Sequence, residues 1–168
     1  KIDLMHFTHF NVPYFYSRRF MVTIHDLTIN RFPSSRATTL PIWLYRLKLY
    51  AYLKTIKRAI NKAEKIICPS NFVKEDLLKY YRLPAEKIEV IYEGAGEIKL
   101  SANYNLDNFH ITKPYLFYVG AAYPHKNLDF LVETFLAFNN QYKYQLVLSG
   151  RLDFFYQRIQ EKLKNNPD

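Results

Sequence analysis

The sequence predicts an α/β fold built on parallel sheets, and three observations carry that prediction. Short runs rich in β-branched and aromatic residues alternate with stretches of helical periodicity along the whole chain. The runs are apolar at consecutive positions, as suits strands covered on both faces. Several end in a polar or glycine-containing turn, where a strand would hand over to a crossover helix.

Leu4 to Phe7 is the first short strand, and Phe20 to Ile24 the second, ending at the polar pair His25-Asp26. A long helix is expected from Thr38 or Thr39, with Pro41 in its first turn, to about Lys62. Leu49, Leu53, Ile56, Ile60 and Ala63 recur at helical spacing and define its core face. Lys54, Lys57, Arg58, Lys62 and Lys65 fall on the other face. Trp43 and Tyr45 are read as core aromatics, with interfacial anchoring as the alternative. Lys65 to Cys68 is the next strand, Ser70 caps a helix to about Tyr81, and Leu83-Pro84 ends it. Lys87 to Tyr92 gives a fourth strand.

From Glu93 to about Lys113 periodicity disappears. Gly94, Gly96, Asn103, Asn105 and Asn108 mark a linker, so residues 1–93 and 114–168 are expected to belong to different domains. In the second, Tyr115 to Val119 is a strand and Gly120 opens a turn. A helix from Asn127 or Asp129 turns Leu128, Leu131, Val132, Phe135 and Phe138 inward. Tyr144 to Leu148 is the next strand, and a last helix starts near Asp153. Two parallel strands and two helices cannot bury a sheet on both faces, so this domain is expected to be incomplete.

Hydrophobic residues make up 49% of the chain and charged residues 23%, which excludes a largely disordered protein. The 15 tyrosines and 13 phenylalanines suit a large cleft or contact surface, because buried hydroxyls need partners. A lone Cys68 excludes an intrachain disulfide. No run approaches the roughly 20 apolar residues of a membrane span, and Lys1 begins mid-pattern without a signal peptide. A cytoplasmic location is the expectation. Charge is uneven: residues 1–84 hold 15 Lys and Arg against 5 Asp and Glu, whereas residues 85–168 hold 9 against 10.

Ligands of open α/β sheets bind beyond the carboxyl ends of the strands. His25-Asp26 lies at such an end and could move protons or orient a hydroxyl, or could be a histidine merely hydrogen-bonded there. Cys68-Pro69-Ser70 lies at another. Gly120 to Asn127 forms a strand–turn–helix with Lys126 at the helix start, which could attract phosphate but by local evidence alone is better read as an ordinary turn with a solvated lysine. It lacks the glycine spacing and Lys-Ser/Thr pair of a Walker loop.

Five blocks in order change the weight of these observations. They are His9-Phe-Asn11-Val-Pro13, Val22-Thr-Ile-His25-Asp26-Leu27, Ala63 to Ser70, Ile88 to Gly94, and Tyr118-Val-Gly120 with Pro124-His-Lys126-Asn127. Together they resemble family 4 glycosyltransferases. The resemblance implies a GT-B fold, two Rossmann-like domains, with the acceptor held mainly by the first and a nucleotide-sugar by the second. It implies that His25, with Asp26, sits beside the transferred sugar and that His9 and Asn11 are on the acceptor side. Gly120, Lys126 and Asn127 would hold the donor, Lys126 neutralising its diphosphate. It further implies retention of configuration, no metal and no cofactor, the nucleotide-sugar being a substrate.

Ala121 stands where many members carry arginine after the glycine, so one diphosphate cation is missing and a non-catalytic relative is a competing reading. By the same resemblance the donor-reading glutamate pair falls after Asp168 and a glycine-rich loop before Lys1, so this stretch alone is expected not to turn over. The basic helix face is either a solvated surface or one that docks on an anionic membrane presenting a lipid-linked acceptor, each Lys or Arg there contributing about 1 kcal/mol. A nucleic-acid-binding module is disfavoured, because the charge lies on one helix face and no recognition motif accompanies it.

Overall fold

The apolar runs form strands and the periodic stretches form helices in the computed structural model, which describes residues 2–97 and 106–164. The chain divides into two units, Lys1–Glu97 and Ile98–Asp168. In the first, β1 (Met5–Phe7), β2 (Phe20–Thr23), β3 (Ile66–Cys68) and β4 (Ile88–Val90) form one parallel sheet in the order β1-β2-β3-β4. A short helix α1 (Thr28–Arg31) and the long α2 (Ile42–Lys62) connect β2 to β3, and α3 (Asn71–Tyr81) connects β3 to β4.

Register decides which side chains share a face. Met5 lies opposite Phe20, Val22 opposite Ile66, and Ile66 opposite Ile88. This face packs on Ile56, Ala59 and Ile60 of α2 and on Val73 and Leu77 of α3, forming the core. Each isoleucine or leucine buried there contributes roughly 1.5–3 kcal/mol relative to exposure. The other face carries His6, Met21, Thr23, Ile67 and Glu89, all half-buried or exposed. The strands therefore alternate, where burial on both faces was expected. His6 Nε2 and Thr23 Oγ1 meet on that second face at 2.8 Å.

The long helix begins at Ile42, with Pro41 as its N-cap, rather than at Thr38 or Thr39. Leu40 immediately precedes a proline and is kept out of the helical region, so the helix can start only after it. Thr38 is extended, and its Oγ1 accepts from Leu40 N–H. The buried stripe is also displaced. Ile56, Ala59, Ile60 and Ala63 are buried, Leu49 is half-buried, and Leu53 is exposed. Trp43 is 67% exposed, which overturns its reading as a core aromatic, while Tyr45 is half-buried. Length explains this: α2 is about 31 Å long whereas a four-residue strand spans about 13 Å. The first half of the helix overshoots the sheet it would pack on.

Two of the five cations assigned to the basic face have other partners. Lys65 lies beyond α2, its Nζ donating to Glu86 O at 2.7 Å and Glu89 Oε1 at 2.8 Å. Arg58 is half-buried and donates to the carbonyls of Pro13 and Tyr14. Lys54, Lys57 and Lys62 remain exposed.

Ser70 caps α3 as its position suggested, Oγ accepting from Val73 N–H at 3.3 Å. Arg82 ends that helix in the left-handed region.

In the second unit β5 (Tyr115–Val119) and β6 (Gln145–Ser149) pair in parallel, with α4 (Leu128–Tyr142) between them and α5 (Phe154–Leu163) following. Leu128 and Val132 pack with Phe155, Tyr156 and Ile159. Phe138, expected on this inner face, is 43% exposed and lies against the Tyr144 ring. Tyr115, Leu116, Phe117 and Val119 of β5 are exposed rather than buried. The stretch expected to be irregular contains a 3-10 turn, Leu106–Phe109; Asn103 and Asn105 lie outside the described residues, as does Asp168. Gln145 ties the approach to β5 onto β6: its Oε1 accepts from Thr112 and Lys113 N–H, and its Nε2 donates to His110 O. Asp153 caps α5 through the amides of Phe155 and Tyr156.

Candidate active site

The sheet of the first unit presents polar side chains beyond its carboxyl edge, and His25 is central among them. Ile24 is fully buried, which pins the strand end, and the next residue emerges into solvent. The ring of His25 is held at both nitrogens. Nε2 lies 2.9 Å from Thr8 O, just past β1, and Nδ1 lies 3.1 Å from Glu93 Oε1, just past β4. Both partners are acceptors, so the doubly protonated ring satisfies both contacts and the neutral ring only one. The imidazole is thereby fixed in orientation.

Asp26 is directed differently. Its Oδ1 accepts from Thr28 N–H at 2.8 Å, fixing the turn into α1. That turn is further anchored through Asn30, whose Oδ1 accepts from Tyr52 Oη at 2.9 Å and whose Nδ2 donates to Tyr81 Oη at 2.8 Å. Burial raises the hydroxyl pKa of Tyr52, assisted by Tyr81 and Asp26 nearby, and burial also raises that of Tyr81. Both hydroxyls therefore stay protonated over the physiological range, Tyr52 donating to Asn30 and Tyr81 accepting from it. Arg31, at the end of α1, reaches the buried Asp76 carboxylate at 2.8 Å and covers the Phe72 ring at 4.3 Å. The His25-Asp26 segment is thus locked to both α2 and α3.

His9 and Asn11 lie in the loop that also supplies Thr8. His9 Nδ1 accepts from Asn11 N–H at 3.3 Å, and its ring lies against Phe10 at 4.1 Å. Both residues are exposed. The loop joins them to the His25 cluster through Thr8.

Glu93 was not singled out from the sequence. Its position just beyond β4, matching that of His25 beyond β2, is the signal that could have found it.

The second unit carries its own candidate residues at the end of β5. Gly120 has φ +147°, a conformation side chains rarely adopt, and its carbonyl accepts from Tyr156 Oη at 2.7 Å. A side chain at Gly150 would meet that carbonyl at 2.2 Å, so the two turns touch backbone to backbone. Lys126 ends a 3-10 turn, Pro124–Lys126, and Asn127 caps α4 in the left-handed region without a side-chain hydrogen bond. Both are exposed. Lys126 therefore stands just before the helix start. Ala121 contributes its carbonyl to Tyr118 Oη at 3.0 Å. Among the described residues no group of three or more His, Cys, Asp or Glu side chains is placed to hold a metal.

A family description, Glycosyltransferase Family 4, matches residues 1–95 and so includes the whole His25 cluster. Among characterised proteins, the chain is 24% identical over 147 residues to the O-antigen chain mannosyltransferase RfbU of Salmonella typhimurium. That alignment covers 88% of this chain and 36% of the relative, so the chain spans about a third of the relative's length.

Proposed function

The chain belongs to glycosyltransferase family 4, and from that membership we propose that it serves transfer of a sugar from a nucleotide-sugar donor to a glycan or lipid-linked acceptor in cell-surface polysaccharide synthesis. The observation that carries this reading is the His25 imidazole, fixed at both nitrogens beyond the carboxyl edge of a parallel sheet within the matched residues. The mannosyltransferase relative supports the same reaction class.

In this reading His25 faces the transferred sugar. Its imidazolium stabilises charge as the leaving group departs, and Glu93 holds the ring. Asp26 acts by positioning the segment through Thr28. His9 and Asn11 are on the acceptor side. Gly120, Lys126 and Asn127 hold the donor, Lys126 placing a full positive charge beside the diphosphate. Transfer retains configuration and needs neither metal nor cofactor. With Ala121 apolar, the position after Gly120 adds no charge to that of Lys126.

The protein works at the cytoplasmic face of a membrane. Among the described residues no helix is long and apolar enough to cross one. The exposed Lys54, Lys57 and Lys62 provide attraction to anionic lipid, and Trp43, Leu47 and Tyr50 on the overshooting half of α2 provide apolar contact.

The test is transfer of labelled sugar by the intact protein from a panel of nucleotide-sugars, with and without EDTA. Loss of transfer in both His25→Ala and Lys126→Ala is expected, with EDTA without effect. Unchanged transfer in both variants would overturn these roles and leave a non-catalytic relative as the better account.

A further inference from the structure

The loop between β1 and β2 arches over the second half of α2, and Arg58 fastens it there. Besides its bonds to the Pro13 and Tyr14 carbonyls, the guanidinium lies 4.5 Å from the centre of the Tyr14 ring. Tyr16 anchors the same loop from behind, packing edge-on against Phe7 and Phe20. Between loop and helix lies a cleft of about 540 Å³, lined by Tyr14, Phe15, Ser17, Lys54, Arg58 and Lys62 together with Tyr16.

The charges of this cleft are one-sided. Lys54, Arg58 and Lys62 stand at successive i, i+4 positions, so three cations share one face of α2. No carboxylate lines the space. Arg58 is occupied with the loop, Lys54 faces the Tyr50 ring at 5.4 Å, and neither lysine has an ion-pair partner among the described residues. The two lysines line one space from positions roughly 12 Å apart along the helix axis, and an anion in that space is attracted by both. A phosphate, with a charge of roughly −1.5 to −2 at neutral pH and several acceptor oxygens, matches two lysines and a serine hydroxyl.

The rim of the cleft is aromatic. Phe15 is 93% exposed and Tyr14 68% exposed, and both stand beside these cations. Exposed aromatic rings next to cations suit the boundary between headgroups and acyl chains.

We propose that this cleft binds the phosphate headgroup of an anionic membrane lipid, Lys54 and Lys62 bracketing the phosphate while Phe15 enters the acyl boundary. The proposal deepens the membrane-docking reading above and is independent of the catalytic one. It turns a diffuse basic face into a discrete site, in which Lys54 and Lys62 matter more than Lys57, which is exposed on the same helix but does not line the cleft.

Flotation of the intact protein with vesicles tests it, comparing phosphatidylcholine alone with phosphatidylcholine containing phosphatidate. Tight partitioning only onto the phosphatidate vesicles is expected. The pair Lys54→Ala and Lys62→Ala should weaken it about tenfold or more, Phe15→Ser several-fold, and Lys57→Ala about twofold or less. Equal loss in Lys57→Ala and in either cleft lysine variant would replace the site by a general electrostatic surface. Displacement from the vesicles by millimolar inorganic phosphate at constant ionic strength would assign the cleft to a soluble phosphate ester. Absence of binding to phosphatidate vesicles would overturn the proposal outright. Transfer to a soluble acceptor should be unaffected by the cleft variants, so this proposal and the catalytic reading fail separately.

Discussion

Glu93 Oε1 lies 3.1 Å from His25 Nδ1, so two strand ends separated by 68 residues of sequence meet at one imidazole. The contact gives the ring a fixed orientation and a proton acceptor on the side away from Thr8. A histidine held in this way is confined to one orientation by bonds at both ring nitrogens.

The first prediction concerns that pair. His25→Ala should lower kcat by about 100-fold or more, the range for removing a preorganised charge-stabilising group. Glu93→Gln should lower kcat about tenfold with the donor KM little changed. Because Glu93 acts through His25, the double variant should be no worse than His25→Ala alone. Steady-state kinetics on the three variants checks this; multiplicative losses would show that Glu93 acts elsewhere.

The second concerns Asn30, whose side-chain amide serves Tyr52 and Tyr81 together. Asn30→Leu strands two partly buried hydroxyls and should cost about 1–3 kcal/mol, whereas Tyr52→Phe removes one donor and should cost about 1 kcal/mol. Urea unfolding at constant m-value measures both. A neutral Asn30→Leu would mean that solvent satisfies those hydroxyls.

Arg31 and Asp76 are the third case. Asp76 is 3% exposed, and the Arg31 guanidinium is its ion-pair partner. Arg31→Met should destabilise by about 2–4 kcal/mol, because a buried carboxylate loses its partner. Adding Asp76→Leu to Arg31→Met should recover most of that loss. Thermal and urea denaturation of the single and double variants distinguish the outcomes.

The fourth follows from two surface carboxylates. A hydrogen bond from Arg19, with its charge, holds Glu64 below the usual carboxylate range, and Lys65 does the same for Glu89. A depressed folded-state pKa gives stability that is complete above the unfolded value, about 4.3, and is lost as pH falls through the folded one. Stability should therefore rise with pH across the window just below pH 4.3. Glu64→Gln should flatten that rise slightly, since the pair is solvent-exposed and weak. Urea midpoints between pH 3 and 6 measure the slope.

Much of this architecture is legible in the residues because local chemistry and global packing agree there. Ser70 before an amphipathic stretch, Asp153 before another, and the apolar run Tyr115 to Val119 each mark an element that forms where the sequence indicates. Periodicity reports which face of a helix is apolar but not how far the neighbouring sheet extends. That is why Leu53 and Trp43 are exposed although their spacing suits a core. Lys65 counted with the basic face by spacing alone, yet it lies past the helix end and is paired with Glu89. Glu93 was obscured for a different reason. Its contact with His25 is made across the sheet edge by strand order, which no local window contains.

Tyr156 gives the second unit a property that its individual turns lack. Its hydroxyl donates to Gly120 O, while Gly120 N–H donates to Ser149 O and Gly150 leaves no room between the two backbones. The phenol thus rivets the Gly120 turn to the first turn of α5, and Tyr156→Phe should loosen both ends of that joint together.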